Sequence, residues 1–305
     1  MRTSLNIHSL CKSYQGGKIK ANDQIDTTFH QGELVALVGH NGAGKTTFLK
    51  QIMGEIKSDQ GSITFQGYSL NQEPQVARKF CSIMPQLKAP LTGVTMEQAI
   101  QAILRIRGLK NRESKEQTKA ILKELKIADW RKLSGKQLSG GLQRLTSFAM
   151  TVASPTPILL LDEPTNDVDP IRRKLIWEKL RKLAQDGHIV IIVTHNLLEV
   201  ERYADRYLLM DKGKVIQDVT LSSLSNKENM LTVYLNGEIL EEITLPDLNY
   251  HYNELEQSIQ FSLRDDEIIS VLEWAIDGVK EKIFLHYKLG TRSLDDDYEE
   301  LTENV

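Results

Sequence analysis

The sequence has little cysteine, few aromatic residues and no long apolar run. Its two cysteines, Cys11 and Cys81, stand in no metal-binding or redox motif, which favours buried small side chains over a reactive role. Aromatic residues make up 6% of the 305 residues and do not interleave with basic stretches, so nucleic acid is not an expected partner.

The longest apolar runs, Ile158–Leu161 and Ile189–Val193, fall far short of the ~18 residues that a membrane helix needs. The N-terminus has no apolar segment of signal-peptide length after a basic start. Sparing use of cysteine is typical of a reducing compartment. We therefore expect a cytoplasmic protein that would reach a membrane only through another chain.

Charge is distributed unevenly along the chain, although the formal net charge is only −3. Residues 225–305 carry 19 acidic and 6 basic side chains, a net charge of −13, whereas residues 1–224 carry a net charge of +10. This contrast indicates two segments with different surroundings. We predict a large domain over 1–224 and a small acidic domain over 225–305.

The larger segment alternates strands and helices. The predicted strands are Glu33–Val38, Ile158–Leu161, Ile189–Val193 and Tyr207–Met210. Three of these strands are continuous apolar runs, as in strands covered on both faces, and helical patterns such as Ile171–Gln185 lie between strands. This pattern predicts an α/β fold with a mostly parallel sheet.

Two further regions differ from this alternation. A helical insertion over about 87–137 is predicted, with helices from Thr95 to about Arg107 and over about Lys115–Leu125. After a predicted linker, Ser225–Asn229, the sequence indicates a small α+β appendage. Its predicted elements are a helix over Asp266–Asp277 and strands over Leu231–Leu235, Glu238–Thr244, Ser258–Leu263 and Lys282–Lys288.

A glycine-rich segment follows the first strand and precedes a helical run that starts near Thr47. The segment, hereafter the P-loop, reads Gly39-His40-Asn41-Gly42-Ala43-Gly44-Lys45-Thr46. Its glycines let backbone N–H groups surround phosphate oxygens, and the helix N-terminus favours negative charge. Lys45 can neutralise the β- and γ-phosphates, and Thr46 can bind Mg²⁺. The pattern predicts a nucleoside triphosphate site.

Adjacent carboxylates end the strand Ile158–Leu161. Asp162 is at the position from which a strand delivers a carboxylate to Mg²⁺, and Glu163 can act as a general base on water. A solvated strand end is the competing interpretation when this pair is considered alone.

The segment Leu138-Ser139-Gly140-Gly141-Leu142-Gln143-Arg144, hereafter the signature segment, provides another candidate phosphate contact. Ser139 and the glycine N–H groups at a helix start can hold a γ-phosphate, although an ordinary helix N-cap fits Ser139 equally well. With the P-loop and Asp162-Glu163, this segment resembles the Leu-Ser-Gly-Gly-Gln signature of the ATP-binding-cassette (ABC) ATPases. Leu142 replaces the usual Gln, and Leu145 replaces a usual basic residue.

The resemblance covers residues 1 to about 220 and implies further roles. Gln86 would contact the metal and the attacking water, and His195 would hold the γ-phosphate and position that water. Tyr14 would stack on adenine. Residues 166–169 would form the loop that touches the opposite subunit of a dimer. Taken singly, His195 and Tyr14 have ordinary alternatives as a strand-end histidine and a surface tyrosine.

The resemblance implies a P-loop ATPase that uses ATP and Mg²⁺ and forms a homodimer or pseudo-dimer, each site completed by the other chain's Ser139. It also implies an ABC transporter subunit, bound to the inner face of the cell membrane through a separate transmembrane permease that docks on the helical insertion. The ending Arg292–Thr302 resembles that of exporters of drugs, peptides or other small amphipathic cargo. A bare acidic helix explains that ending nearly as well. The alternative function is a non-transport ABC ATPase with a regulatory role.

Overall fold

The computed structural model describes residues 3–86, 91–222, 229–237, 243–254 and 256–291. The chain divides into two units, Met1–Leu221 and Ser222–Val305. In the described part of the first unit, the strands are β1 Ser4–Tyr14, β2 Ile19–His30, β3 Leu34–Val38, β4 Gln60–Phe65, β5 Tyr68–Ser69, β6 Cys81–Met84, β7 Ile158–Asp162, β8 Ile189–Val193, β9 Arg206–Asp211 and β10 Lys214–Thr220. The α-helices are α1 Lys45–Ile52, α2 Pro74–Phe80, α3 Met96–Ile106, α4 Asn111–Glu124, α5 Gly140–Val152, α6 Pro170–Gln185 and α7 Leu197–Tyr203.

The central sheet of this unit has the strand order β10-β9-β3-β8-β7-β6. All neighbours in it are parallel except β10, which pairs antiparallel with β9 at the edge. Every residue of β3, β7 and β8 is buried, as expected for strands covered on both faces. The predicted mostly parallel α/β sheet is therefore confirmed.

A second sheet, of order β2-β1-β4-β5, is antiparallel and was not among the predicted elements. Its inner residues, including Leu5 and Phe29, share a buried cluster with Phe48 of α1 and with Leu37 of β3. The P-loop helix is therefore held by apolar contacts with both sheets, which fixes the position of its first turn.

The predicted helical insertion contains α3 and α4, which pack on each other, and α3 also packs on α5. Thr95 caps α3 by accepting a hydrogen bond from the Gln98 N–H, and the Gln98 side chain accepts from the Thr95 N–H in return. The two insertion helices bury the apolar faces that the sequence indicated, with Met96, Ile100 and Leu122 all buried.

The second unit is an antiparallel sheet with a helix on one face, which agrees with the α+β prediction. In the described residues of this unit the elements are β11 Asn229–Leu235, β12 Tyr250–Asn253, β13 Ser258–Leu263, α8 Ile268–Lys280 and β14 Phe284–Thr291, with strand order β12-β13-β11-β14. Val271 and Ala275 of α8 pack against sheet residues such as Val233 and Phe261.

Some predictions for this unit are corrected or lie outside the described residues. The predicted strand Glu238–Thr244 is wrong for its described residues, 243 and 244, which belong to no strand. The Trp274 indole N–H donates to the Thr244 carbonyl, so that carbonyl is bonded to α8 rather than to a sheet. The first part of the predicted linker Ser225–Asn229 and the exporter-like ending Arg292–Thr302 lie outside the described residues.

Candidate active site

The P-loop connects β3 to α1 through glycines whose backbone conformation excludes other residues. Gly39 and Gly44 have φ angles of 145° and 104°. A Cβ atom on Gly44 would lie 1.9 Å from the Ala21 carbonyl oxygen, and one on Gly39 would lie 2.2 Å from the Met210 carbonyl oxygen. The left-handed Gly44 also serves as the N-cap of α1, so the helix begins at Lys45, two residues before the predicted start.

Lys45 is buried within this loop, with 9% of its surface exposed. Its Nζ donates hydrogen bonds to the carbonyl oxygens of Gly39 and His40, at 2.6 and 2.9 Å. Burial lowers the pKa of Lys45, and the nearby carboxylates of Glu163 and Asp162 act against that shift. The ammonium group is thus held inside the turn at the N-terminus of α1, where a phosphate group would be favoured.

His40 ties the same loop to the end of a neighbouring strand. Its Nε2 lies 2.6 Å from Oδ1 of Asp211, at the end of β9, and its Nδ1 lies 2.7 Å from the Asn41 carbonyl oxygen. The P-loop is therefore braced by a side chain as well as by its glycine geometry. Asp211 was not predicted, because 171 residues separate it from its partner.

Thr46 and Asp162 form the oxygen-rich part of the site. The Thr46 hydroxyl donates to Oδ2 of Asp162 at 2.8 Å, and Asp162 is only 3% exposed. Burial raises the pKa of Asp162, opposed by this hydrogen bond and by the charge of Lys45. A hydroxyl and a carboxylate at hydrogen-bond distance are hard oxygen ligands of the kind Mg²⁺ prefers, so these residues fit that ion.

Glu163 and His195 meet at the carboxyl ends of β7 and β8. The Nδ1 atom of His195 lies 3.1 Å from both carboxylate oxygens of Glu163. Glu163 has a φ of 53°, unusual for a residue with a side chain, and its N–H donates to the Val193 carbonyl. The Glu163 side chain is 9% exposed, whereas the His195 side chain is 68% exposed. The carboxylate is thus largely shielded from solvent, with a more exposed imidazole beside it.

The signature segment opens α5. The Ser139 hydroxyl accepts a hydrogen bond from the Leu142 N–H at 3.3 Å, so Ser139 is the N-cap of this helix. Gly141 lies against the backbone of Asp167, where a Cβ would be 2.5 Å from the carbonyl oxygen. In the described part of the chain, Ser139 makes no hydrogen bond with the P-loop.

Two other predicted residues, Gln86 and Tyr14, make no hydrogen bond with the P-loop in the described part of the chain. Gln86 follows β6, the strand beside β7, with an exposed side chain and a carbonyl oxygen that accepts a 2.6 Å hydrogen bond from Arg144. Tyr14 ends β1 with 38% of its surface exposed, and the Lys12 ammonium lies 5.7 Å from its ring centroid. An exposed ring at a strand end is accessible to a flat ligand.

Comparison with known proteins decides the family. A family profile described as "ABC transporter" matches residues 22–166. The chain is 34% identical over 237 residues to a "Probable ABC transporter ATP-binding protein" of Azorhizobium caulinodans, covering 77% of this chain and 84% of that relative. The chain belongs to the ABC transporter ATP-binding protein family. It is an ABC ATPase.

Other relatives of this ABC ATPase vary in function and length. It is 32% identical to "Nod factor export ATP-binding protein I" of Sinorhizobium fredii over 70% of this chain, and spans only 62% of that relative. The fold is also that of a solved structure titled "Dimeric structure of a post-hydrolysis state of the ATP-binding cassette MJ0796 bound to ADP and Pi". That structure is 25% identical, has a TM-score of 0.66, and covers 71% of this chain and 98% of its own.

The ABC ATPase brings part of the predicted site together and leaves part of it separate. Lys45 lies among Thr46, Asp162 and Glu163, and His195 completes this group at one edge of the parallel sheet. Ser139 is separate from it. Sequence reasoning did not assign a role to Arg144, although it belongs to the signature segment, because its hydrogen-bond partners lie 58 and 59 residues away.

Proposed function

We propose that this chain is the ATP-hydrolysing subunit of an ABC transporter, acting as a dimer on a separate membrane permease. The observation that carries the proposal is the convergence of the buried Lys45 ammonium, which follows β3, and two buried carboxylates, which stand at the end of β7. Both strands end at the same edge of the parallel sheet. Ligands of open α/β sheets bind at this edge. Phosphoryl transfer requires mainly positioning and charge compensation, which these groups can supply.

Each residue of the group has a proposed task. The N–H groups at the start of α1 and the Lys45 ammonium bind the phosphates of ATP. Thr46, Asp162 and Gln86 would hold Mg²⁺, which neutralises phosphate charge when bound. The Glu163 carboxylate accepts a proton from the attacking water, and His195 holds both that carboxylate and the γ-phosphate.

A second copy of the chain is proposed to complete each site. Ser139 and the first N–H groups of α5 form an anion-binding helix start that makes no hydrogen bond with the chain's own P-loop in the described residues. The related cassette MJ0796 has been solved as a dimer with ADP and phosphate. ATP bound between two copies would favour the closed pair, and hydrolysis would remove that preference.

The transport partner and the direction of transport belong to the same proposal. In the described part of the chain, no helix has the length and apolar character to cross a bilayer. We propose a peripheral position on the inner membrane face, with the permease docked on the insertion formed by α3 and α4. The name of the Sinorhizobium fredii relative supports export. Drugs, peptides or other small amphipathic molecules are the proposed cargo.

The test of the transport role is purification of the tagged chain from detergent-solubilised membranes of its own host. We expect a polytopic membrane protein in fixed stoichiometry that remains bound through size-exclusion chromatography. After reconstitution in lipid vesicles, the complex should hydrolyse ATP at a rate different from that of the free chain. Recovery of an active ATPase that never associates with membrane protein would contradict transport and favour the regulatory alternative.

A further inference from the structure

Two arginines hold opposite ends of the segment that leads to Gln86. Arg144 of α5 donates from Nη1 to the carbonyl oxygens of Pro85 and Gln86, at 3.2 and 2.6 Å. Arg107, at the end of α3, donates to the Ser82 hydroxyl at 2.6 Å from one terminal nitrogen and to the Ser154 carbonyl oxygen at 2.9 Å from the other. The two side chains thus resemble each other chemically but contact different ends of one strand–loop segment.

Arg144 is more deeply buried than Arg107. Its residue surface is 3% exposed, and its Nε–H has no hydrogen-bond partner among the described residues. Burial lowers the pKa of Arg144, while the charges of Asp162, Asp167 and Glu163 favour its protonated form. A buried, incompletely bonded guanidinium is costly, so apolar packing alone is a poor reason to retain it.

Arg144 also belongs to the helix that begins at the proposed site for the opposite ATP. Ser139 caps α5, and Arg144 lies in the next turn of the same rigid element. A displacement of the helix start therefore moves the guanidinium together with the Gln86 carbonyl bonded to it. No other hydrogen bond between α5 and Gln86 occurs in the described part of the chain.

We infer that Arg144 is a positioning residue that couples Ser139, on the partner's ATP, to Gln86 in this chain's own site. The inference rests on the proposed roles of Ser139 and Gln86. Binding at one ATP site would then change the placement of the metal- and water-contacting glutamine at the other. Such coupling between two sites requires a physical element that both can displace, and α5 with Arg144 is that element.

The test is a double-mutant cycle on the full chain, with the turnover rate and the ATP dissociation constant measured separately. Arg144→Met is expected to lower kcat about tenfold, because a charged hydrogen bond is lost, with little change in ATP affinity. Gln86→Ala is expected to lower kcat as well. If Arg144 acts through Gln86, the double variant should be no slower than Gln86→Ala alone.

Arg107→Met is the control, because it removes a guanidinium that is bonded to the other end of the same segment and does not touch Gln86. Any loss it causes should multiply with that of Gln86→Ala. Multiplying losses for Arg144→Met as well would overturn the inference and leave the proposed function standing. A Gln86→Ala variant with wild-type kcat would contradict both the role of Gln86 and the coupling through it.

Arg144→Lys guards against misfolding of the methionine variant. It keeps the charge but replaces the planar fork with a single ammonium, so we expect a kcat between those of wild type and Arg144→Met. Combined with Gln86→Ala, it should again be no slower than Gln86→Ala alone. Thermal unfolding of each variant separates loss of fold from loss of coupling. A lysine variant whose defect multiplies with that of Gln86→Ala would also overturn the inference.

Discussion

Replacing Glu163 with glutamine is expected to lower ATP turnover by about 10²- to 10⁴-fold while leaving ATP binding intact. The amide has the shape of the carboxylate but cannot accept a proton from water. The local fold should not change, because the backbone of Glu163 is held by its N–H bond to the Val193 carbonyl. The amide can still contact the Nδ1 atom of His195, which lies 3.1 Å from both carboxylate oxygens.

Phosphate release and equilibrium binding of a fluorescent ATP analogue measure the two expectations for Glu163→Gln. The variant should also persist as an ATP-bound dimer in light scattering, since the γ-phosphate is retained. Glu124→Gln is the matched control, because Glu124 is on α4 and pairs with Lys179 outside the site. Wild-type turnover in Glu163→Gln would remove Glu163 from the role of general base.

Replacing Lys45 with alanine is expected to weaken ATP binding by about 10- to 100-fold, as a charged hydrogen-bond donor to phosphate is lost. The loss should be large because Lys45 is 9% exposed and its charge is poorly screened by water. The two loop carbonyls that accept from Lys45 also lose a donor. A modest loss of thermal stability should therefore accompany the loss of affinity.

Nucleotide titration followed by fluorescence measures the effect of Lys45→Ala. Lys182→Ala is its control, because Lys182 is an exposed cation in the last turn of α6, on the same unit. That control should bind ATP with wild-type affinity. Unchanged affinity in Lys45→Ala would count against phosphate binding by the P-loop.

The central strands and the site residues that follow them were predictable from sequence, because a strand buried on both faces is a continuous apolar run. Ile189–Val193 has the predicted bounds, and Ile158–Asp162 extends its prediction by the single residue Asp162. Parallel strands deliver the residues after them to one edge, so Glu163 and His195 could be expected near each other. Their shared hydrogen bonds agree with that expectation.

The antiparallel sheet at the N-terminus was missed for a physical reason. Ser9 and Gln24 have φ angles of 45° and 52°, and the pairing of β1 with its neighbours shifts register there. Such irregularities interrupt the alternation of apolar and polar residues by which a strand with one solvent-exposed face is recognised in a sequence. Asp211, which braces the P-loop through His40, was missed because only the folded sheet brings it to that histidine.

Arg144 shows a different limit. Its position in the signature segment was visible, but its contacts depend on how α5 packs beside the end of β6. Residue type and spacing can identify groups that bind a common ligand. Residue type and spacing do not identify a side chain that bonds to a backbone carbonyl, because every residue of the chain has such a carbonyl.

The central claim is that each ATP site is built from the P-loop of one chain and the signature segment of another. Mixing two impaired variants tests it directly. Lys45→Ala disables the P-loop, and Ser139→Asp keeps a good N-cap for α5 while placing a negative charge against phosphate. The aspartate thereby separates the capping role of Ser139 from its proposed role toward ATP.

The measurement is the ATP hydrolysis rate of each variant alone and of their equimolar mixture. At an ATP concentration near the wild-type Kd, each variant alone should hydrolyse ATP at only a small fraction of the wild-type rate. In the mixture, half of the dimers combine the two variants and regain one intact site, so we predict about a quarter of the wild-type rate. A mixture as slow as its components, with mixed dimers shown to be present, would contradict a site shared between chains.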